Sequence, residues 1–328
     1  MAQISRREFG YGAASAIAGA ALLSSSEASA QAFPSQDIQF ICGFAAGSGA
    51  DTYVRFFAEK MRALSKRNVA VQNRVGALGN IATEYVARAK PDGHIVYITG
   101  GSALAANHHV MKTPTVDIGN ELQVVGTINK QPNMIMVAVE TPWKTIGELV
   151  TAMKAKGDKA SYALANPSAR VVGALFKEKA GLRSVEVQYK TAAQYLNDLT
   201  SGNIDYAIAD NVLAVSQVRA GRMRILAVST KDRLLAAPDY PTLGETGYQI
   251  AVTSWWAGFV PMATPKPVVD QLGVWLSEIV GSEEGKKFLN SFASDPWVSS
   301  PAEAQAYFRQ EIATWAEYVK IANIEKQG

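Results

Sequence analysis

Ile38-Gln39-Phe40-Ile41-Cys42-Gly43-Phe44-Ala45-Ala46-Gly47-Ser48-Gly49-Ala50-Asp51 carries an apolar run through a turn with two glycines and out into a segment of helical period. Tyr53, Phe57, Met61 and Leu64 then recur on one helical face, so residues 38–64 read as strand, turn, helix. A short strand is expected at 69–71. Gly76 to Asn80 opens a second helix, and Pro91-Asp92-Gly93 turns it into a strand at 95–99. Repeated strand–helix units of this size are the pattern of a mostly parallel sheet flanked by helices.

A second set of the same kind runs through strands at 134–139, 160–163, 186–189, 206–209 and 224–229, with helices at 146–156, 171–180 and 192–201 between them. The remainder is mostly helical, at 267–280 and 301–327, after an apolar run containing Trp255, Trp256 and Phe259. A helical tail needs a sheet to cover, so it is expected to return to the first lobe. The expected organisation is therefore an α/β chain of two lobes: residues 31–130 with 254–328, and residues 131–253. The chain crosses between them near 128–132 and 250–254, and two crossings make a hinge.

Upstream, Ser5-Arg6-Arg7-Glu8-Phe9 precedes a run of small and apolar residues from Gly10 to Leu23 and ends at Ala28-Ser29-Ala30. A paired arginine, a modest apolar stretch and an A-x-A site form a twin-arginine export signal, removed after about residue 30, which places the mature chain in the periplasm. The stretch falls short of the roughly 20 apolar residues a membrane span needs. Without it the chain keeps 30 basic and 27 acidic residues, and no lysine- or arginine-rich stripe suits nucleic acid. Cys42 is the one cysteine, so no intrachain disulfide forms; within 38–44 it reads as a buried strand residue.

Three glycine-bearing turns are expected at the carboxyl edge of the first sheet, where open α/β sheets bind ligands. They carry Phe44, Gly47, Ser48, Gly49 and Asp51; Gly76, Gly79 and Asn80; and Gly101 and Ser102. Such turns aim helix N-terminal N–H groups at an anion, although the first is also readable as a tight turn with Asp51 as a cap. No Gly-Lys-Ser/Thr makes it a P-loop. In the second lobe Asn166, Ser168 and Arg170 precede a helix, Arg170 being either a bidentate carboxylate grip or a solvated arginine. Asp210 and Asn211 end a strand, as ligand contacts or as an Asx turn capping the next helix. Trp255, Trp256, Phe44 and Tyr189 could stack on an aromatic ring, with the adjacent tryptophans split between core and cleft. His94, His108 and His109 have no metal spacing around them, and no G-x-S-x-G elbow is present.

In order along the chain stand the turn leading to Asp51, Asn73-Arg74 with Gly76 and Gly79, Pro91-Asp92-Gly93, Tyr189-Lys190, Leu199, Ser201-Gly202, Asp205 and Asp210-Asn211. Ala220-Gly221, Ser229-Thr230, Pro238, Pro241-Thr242, Gly247-Tyr248, Ser254-Trp255 and Pro261 to Pro265 follow. From Phe33 to the C-terminus this order resembles the substrate receptors of tripartite tricarboxylate transport systems, the Bug receptors. The resemblance implies a two-lobed type II periplasmic-binding-protein fold that closes on a small carboxylate, without cofactor or catalysis. It also implies a monomer that hands its ligand to membrane permease subunits. The first-lobe turns would hold the ligand's carboxylate, partly through ordered water, and the second lobe would read its far end. Departures fall in the turns: Ala45-Ala46-Gly47-Ser48-Gly49 where the family usually has prolines and three glycines, and Val75-Gly76-Ala77-Leu78-Gly79 where it usually reads Pro-Gly-Ala-Gly-Gly. Arg170 stands where a histidine is common. A ligand sensor docking on a membrane kinase, and a periplasmic enzyme, are the competing expectations.

Overall fold

In the computed structural model, which describes residues 33–189 and 192–326, strand β1 (Ile38–Cys42) lies parallel between β2 (Val69–Asn73) and β3 (Ile95–Gly100). Beyond β3 comes β10 (Ser254–Pro261), antiparallel both to β3 and to β4 (Leu122–Gln131), and β11 (Asp295–Pro296) edges β4. The second sheet has the order β7 (Val185–Gln188), β6 (Ser161–Leu164), β8 (Tyr206–Asp210), β5 (Asn133–Ala138), β9 (Met223–Val228). Here β5 is the strand that runs against its neighbours. Among the described strands, four of six in the first sheet and four of five in the second therefore share one direction. Both sheets belong to one unit, residues 36–328.

The two sheets are built alike. In each, the reversed strand is the first one the chain makes after crossing over, and it is inserted between the third and fourth strands. Both inserted strands are buried along their whole length, Asn-Met-Ile-Met-Val-Ala in β5 and Ser-Trp-Trp-Ala-Gly-Phe-Val-Pro in β10. Burial on both faces explains why neither shows the alternation of a half-exposed strand.

The crossings lie side by side. Gln131 passes through Pro132 to Asn133, while Ser254 pairs with Gln131 at the start of β10. The Asn133 N–H donates to Ser229 Oγ (3.0 Å), the Ser229 N–H to the Asn133 carbonyl (2.9 Å), and Asn133 Nδ2 to Ser254 Oγ (3.0 Å). Ser229 Oγ in turn donates to the Val252 carbonyl (2.7 Å). Three chain passages are thus laced together at the hinge.

Helices α1 (Gly49–Ser65), α2 (Asn80–Ala87), α3 (Gly101–Val110) and the single turn α4 (Ile118–Glu121) follow the first strands. The second sheet carries α5 (Ile146–Lys156), α6 (Pro167–Lys179), α7 (Ala192–Thr200) and α8 (Asn211–Arg219). The tail forms α9 (Lys266–Gly281), α10 (Glu283–Ser291) and α11 (Pro301–Ile321). Strand β4 and helices α3 and α10 were not expected, while α8 is the helix foreseen in the reading of Asp210-Asn211 as a capping Asx turn. α3 is rich in Ala and His and presents no clean apolar stripe, while the end of β4 falls in the segment expected as the crossing. The tail also does more than cover the first sheet. Trp315 and Val319 of α11 share a buried cluster with Val171, Val172 and Leu175 of α6 and with Ala105, Ala106 and Val110 of α3.

Candidate functional site

Strands β1, β3 and β4 of one sheet and β6 and β8 of the other run their carboxyl ends toward a cavity of about 90 Å³. Residues of both sheets line it: Phe44, Ser48, Gly49, Tyr53, Gly100 and Ser102 on one side, Asn166, Ser168, Tyr195, Asp210, Asn211 and Val212 on the other. The hinge strands supply its floor with Gln131, Asn133, Ser254 and Trp256. This is the crevice at strand ends in which α/β sheets hold ligands.

Four helices begin at this cavity. Ser48 caps α1 and accepts from the Asp51 N–H (3.3 Å); Asn166 caps α6 and accepts from the Ala169 N–H (2.8 Å); Asp210 caps α8 and accepts from the Leu213 N–H (2.9 Å). Helix α3 starts at Gly100 with no side-chain cap. Each cap satisfies one first-turn donor, and a helix start leaves four. Backbone donors therefore remain at the cavity, backed by helix dipoles worth roughly half a positive charge each. Among the described residues lining it, none is lysine, arginine or histidine. The arrangement suits an anion held by backbone N–H groups.

The turn that presents α1 is fixed from behind. Asp51 Oδ2 accepts from the Gly47 N–H (2.9 Å) and Arg55 Nε (2.7 Å), and Oδ1 accepts from Asn73 Nδ2 (2.8 Å), which also donates to the Phe44 carbonyl (2.9 Å). Burial by itself would raise the Asp51 carboxyl, but these donors outweigh it and hold the group below the usual carboxylate range. A carboxyl lowered in the folded state adds stability above its unfolded value and loses it as pH falls, so the turn weakens toward acid.

A second polar network joins the two sides. Asn211 Nδ2 donates to the Phe292 carbonyl (2.6 Å), Ser294 Oγ (2.7 Å) and Tyr53 OH (3.3 Å); Asn129 Nδ2 reaches Ser294 Oγ (3.0 Å), Tyr53 OH (3.1 Å) and Gln131 Oε1 (3.0 Å). Asn129 Oδ1 accepts from the Trp256 N–H (3.1 Å). Burial pushes the Tyr53 hydroxyl up to about 12, so it stays protonated.

Of the residues expected at a site, the structure brings Phe44, Ser48, Gly49, Ser102, Asn166, Ser168, Asp210, Asn211 and Trp255 to the cavity. Gly47 and Asp51 stand behind it and shape the turn. Gly76, Gly79 and Asn80 lie outside the lining; Asn80 Oδ1 accepts from Asn107 Nδ2 (2.6 Å). Gly101 backs onto the Trp255 ring. Tyr189 donates its hydroxyl to Asp198 (2.6 Å) away from the cavity, and Arg170 is buried against Glu186, Nε to Oε1 at 2.9 Å. Arg170 is thus neither solvated nor directed at the cavity.

The tryptophans do split. Trp255 is fully buried, ringed by Phe259, Trp297, Tyr307 and Phe308, whereas the Trp256 ring packs on Tyr53 at 5.3 Å, at the cavity wall. Sequence reasoning missed Tyr53, Gln131, Asn133, Tyr195 and Ser254. Tyr53 falls on the apolar helical face with Phe57, Met61 and Leu64, and the hinge polar residues have no motif; a polar pair flanking Pro132 between apolar strands is their available signal. Cys42 is buried, and its thiol is raised to about 11 by desolvation. Among the described residues no cluster of His, Cys, Asp and Glu could hold a metal, and no helix is long and apolar enough to cross a membrane.

Space is as tight behind the cavity as in it. A Cβ on Gly101 would stand 2.2 Å from the buried Trp255 ring. Gly101→Ala is expected to destabilise the fold by about 1–3 kcal/mol through overpacking. A lower urea midpoint at constant slope would show it, and an unchanged midpoint would show that the ring shifts freely.

A family model for the tripartite tricarboxylate transporter family receptor matches residues 53–324. Protein BugT of Bordetella pertussis is 26% identical over 296 residues, covering 89% of this chain and 91% of BugT. Among solved structures, the periplasmic binding protein BugD is 29% identical, with a TM-score of 0.83 over 90% of this chain and 100% of that one. Rpa4515 of R. palustris, solved with adipate, is 27% identical, with a TM-score of 0.85 over 89% of this chain and 99% of that one.

Proposed function

The chain belongs to the tripartite tricarboxylate transporter receptor family, and from that premise we propose that it is a periplasmic receptor closing its two lobes over a small carboxylate, dicarboxylate or aromatic, for delivery to a tripartite tricarboxylate transporter. The observation that carries this is the convergence of four helix starts on one cavity between the sheets, with no cationic side chain in its described lining. Backbone donors satisfy a carboxylate at any pH where it is ionised. The aromatic walls of Phe44, Tyr53, Tyr195 and Trp256 accommodate an apolar body beyond it. The adipate bound to the similar Rpa4515 supports the carboxylate class.

In this reading residues 31–130 with 254–328, and residues 131–253, are the lobes that move about the laced crossings, and the chain acts as a monomeric binding protein rather than as an enzyme. The twin-arginine signal read in residues 1–30 lies outside the described residues and completes the proposal as its export route. Delivery predicts that a strain deleted for the gene loses uptake of the ligand.

Thermal unfolding of the mature protein with adipate, malate, benzoate and their uncharged amides tests the binding step. A ligand at 100 times its Kd adds about 2.7 kcal/mol to a state that alone binds it, visible as a rise in Tm of several degrees. Carboxylates are expected to raise Tm and amides not. No shift with any carboxylate would overturn the reading.

A further inference from the structure

Besides the N–H groups of its helix starts, the lobe-2 side of the cavity presents two side-chain acceptors, on Asp210 and Asn211. Asn211 is fully buried, and its orientation is fixed: the group 2.6 Å from the Phe292 carbonyl must be the amide nitrogen, because that carbonyl can only accept. Its Oδ1 is buried with no partner. A buried acceptor left unmade costs about 1–3 kcal/mol, so it is a group waiting for a donor. Beside it Asp210 lines the same cavity; its carboxyl takes the Leu213 N–H (2.9 Å) and the backbone N–H groups of Asp210 and Val212, and no cationic side chain in the described lining balances its charge. Burial also raises its carboxyl above the usual value, the behaviour of a carboxylate lacking a counter-charge.

Resting on the carboxylate reading above, the geometry points to a ligand that carries a hydrogen-bond donor, a hydroxyl or an ammonium, at the end away from its carboxylate, with Asp210 and Asn211 Oδ1 as the receiving pair. The carboxylate lies at the starts of α1 and α3, and the donor faces the start of α8. A second plain carboxylate at that end would meet Asp210 with like charge. Asp210 and Asn211 thus set specificity within the class, while the other helix starts supply the general grip.

Matched pairs test this by calorimetry at neutral pH: 4-hydroxybenzoate against benzoate, and 6-aminohexanoate against hexanoate, with adipate as the plain dicarboxylate. The donor-bearing member of at least one pair is expected to bind roughly tenfold or more tighter, as befits a hydrogen bond to a charged group. The first pair reports a hydroxyl and the second an ammonium. Asp210→Asn keeps the cap, since Asn caps as well as Asp, and is expected to erase most of that preference and to strengthen adipate. Should Asp210→Asn fail to fold, Asp210→Ser retains the capping oxygen and serves in its place. Equal affinities within both pairs, or adipate tightest of all, would overturn the inference while leaving the carboxylate receptor standing. Absence of binding by all five acids would remove both.

Discussion

Gly49→Ala is expected to weaken carboxylate binding by roughly 30- to 100-fold while leaving the fold intact. The added Cβ would lie 2.7 Å from Asp210 Oδ1 and 2.9 Å from Val212 Cβ, both across the cavity. Asp210 is held by its own cap bond and Val212 sits in the first turn of α8, so neither is the loose end of a flexible side chain. Gly49 itself has an ordinary helical start, without the left-handed backbone that would bar alanine. The clash therefore acts on lobe closure and not on local structure. A ligand needing the closed form loses affinity in proportion to the closed population, and about 2–3 kcal/mol against closure gives the stated range. Calorimetry supplies the affinity, and small-angle scattering supplies the contraction on binding. Native affinity with full contraction would show that the two helix starts are not pressed together in the bound form.

Glu311→Ala is expected to cost about 2–5 kcal/mol of stability, although Glu311 itself lies outside the cavity lining. Glu311 Oε2 accepts from Trp255 Nε1 at 3.2 Å and from Trp315 Nε1 at 3.0 Å, and both indoles are fully buried. Truncation strands two donors away from water, each worth about 1–3 kcal/mol. Glu311→Gln separates charge from acceptor. Burial is the main cause raising the Glu311 carboxyl above its ordinary 4.5, against the lowering effect of its Trp315, Trp255 and Tyr307 partners. A carboxyl raised in the folded state contributes stability that is complete below the unfolded value and disappears as pH climbs through the folded one. The native protein is thus expected to lose stability from pH about 4.5 upward through this group. The glutamine variant should flatten that slope while keeping an oxygen for the indoles. Chemical denaturation across that range measures it. Equal losses for Ala and Gln would show that shape, not the acceptor, holds the two rings.

The strand–turn–helix opening at 38–64 was readable because its apolar runs switch period at Gly47 and Gly49, and the helix expected at 146–156 has those bounds because Thr145 and Glu148 form a capping box. The two-sheet α/β organisation followed from such alternation. What escaped was local in a different sense. β10 and β5 are apolar on both faces and carry no direction signal, so their reversal had to come from topology. Arg170 looked like a grip because sequence shows it beside Asn166 and Ser168, but helix α6 rotates it toward Glu186, a strand partner invisible to linear spacing. Tyr53 served the core period and the cavity at once, and periodicity reports only the first. The hinge polar residues Gln131, Asn133 and Ser254 gain their meaning from passages of chain that meet after more than a hundred residues.

The insertion of β10 between β3 and β4 also orders events in time. β3 and β4 do not pair with each other; the strand that joins them begins at Ser254, after the whole of the second sheet has been made. A ribosome releasing this chain exposes a second sheet whose strands, residues 133–228, are all present and can pair at once. At that moment the first sheet is still two unconnected fragments, β2-β1-β3 and β4. Domains form in the order their strands become available, and long-range pairings come late. The half of the protein that begins the sequence is therefore the last to exist as a folded body, and its ligand turns take shape only when synthesis has passed the final crossing.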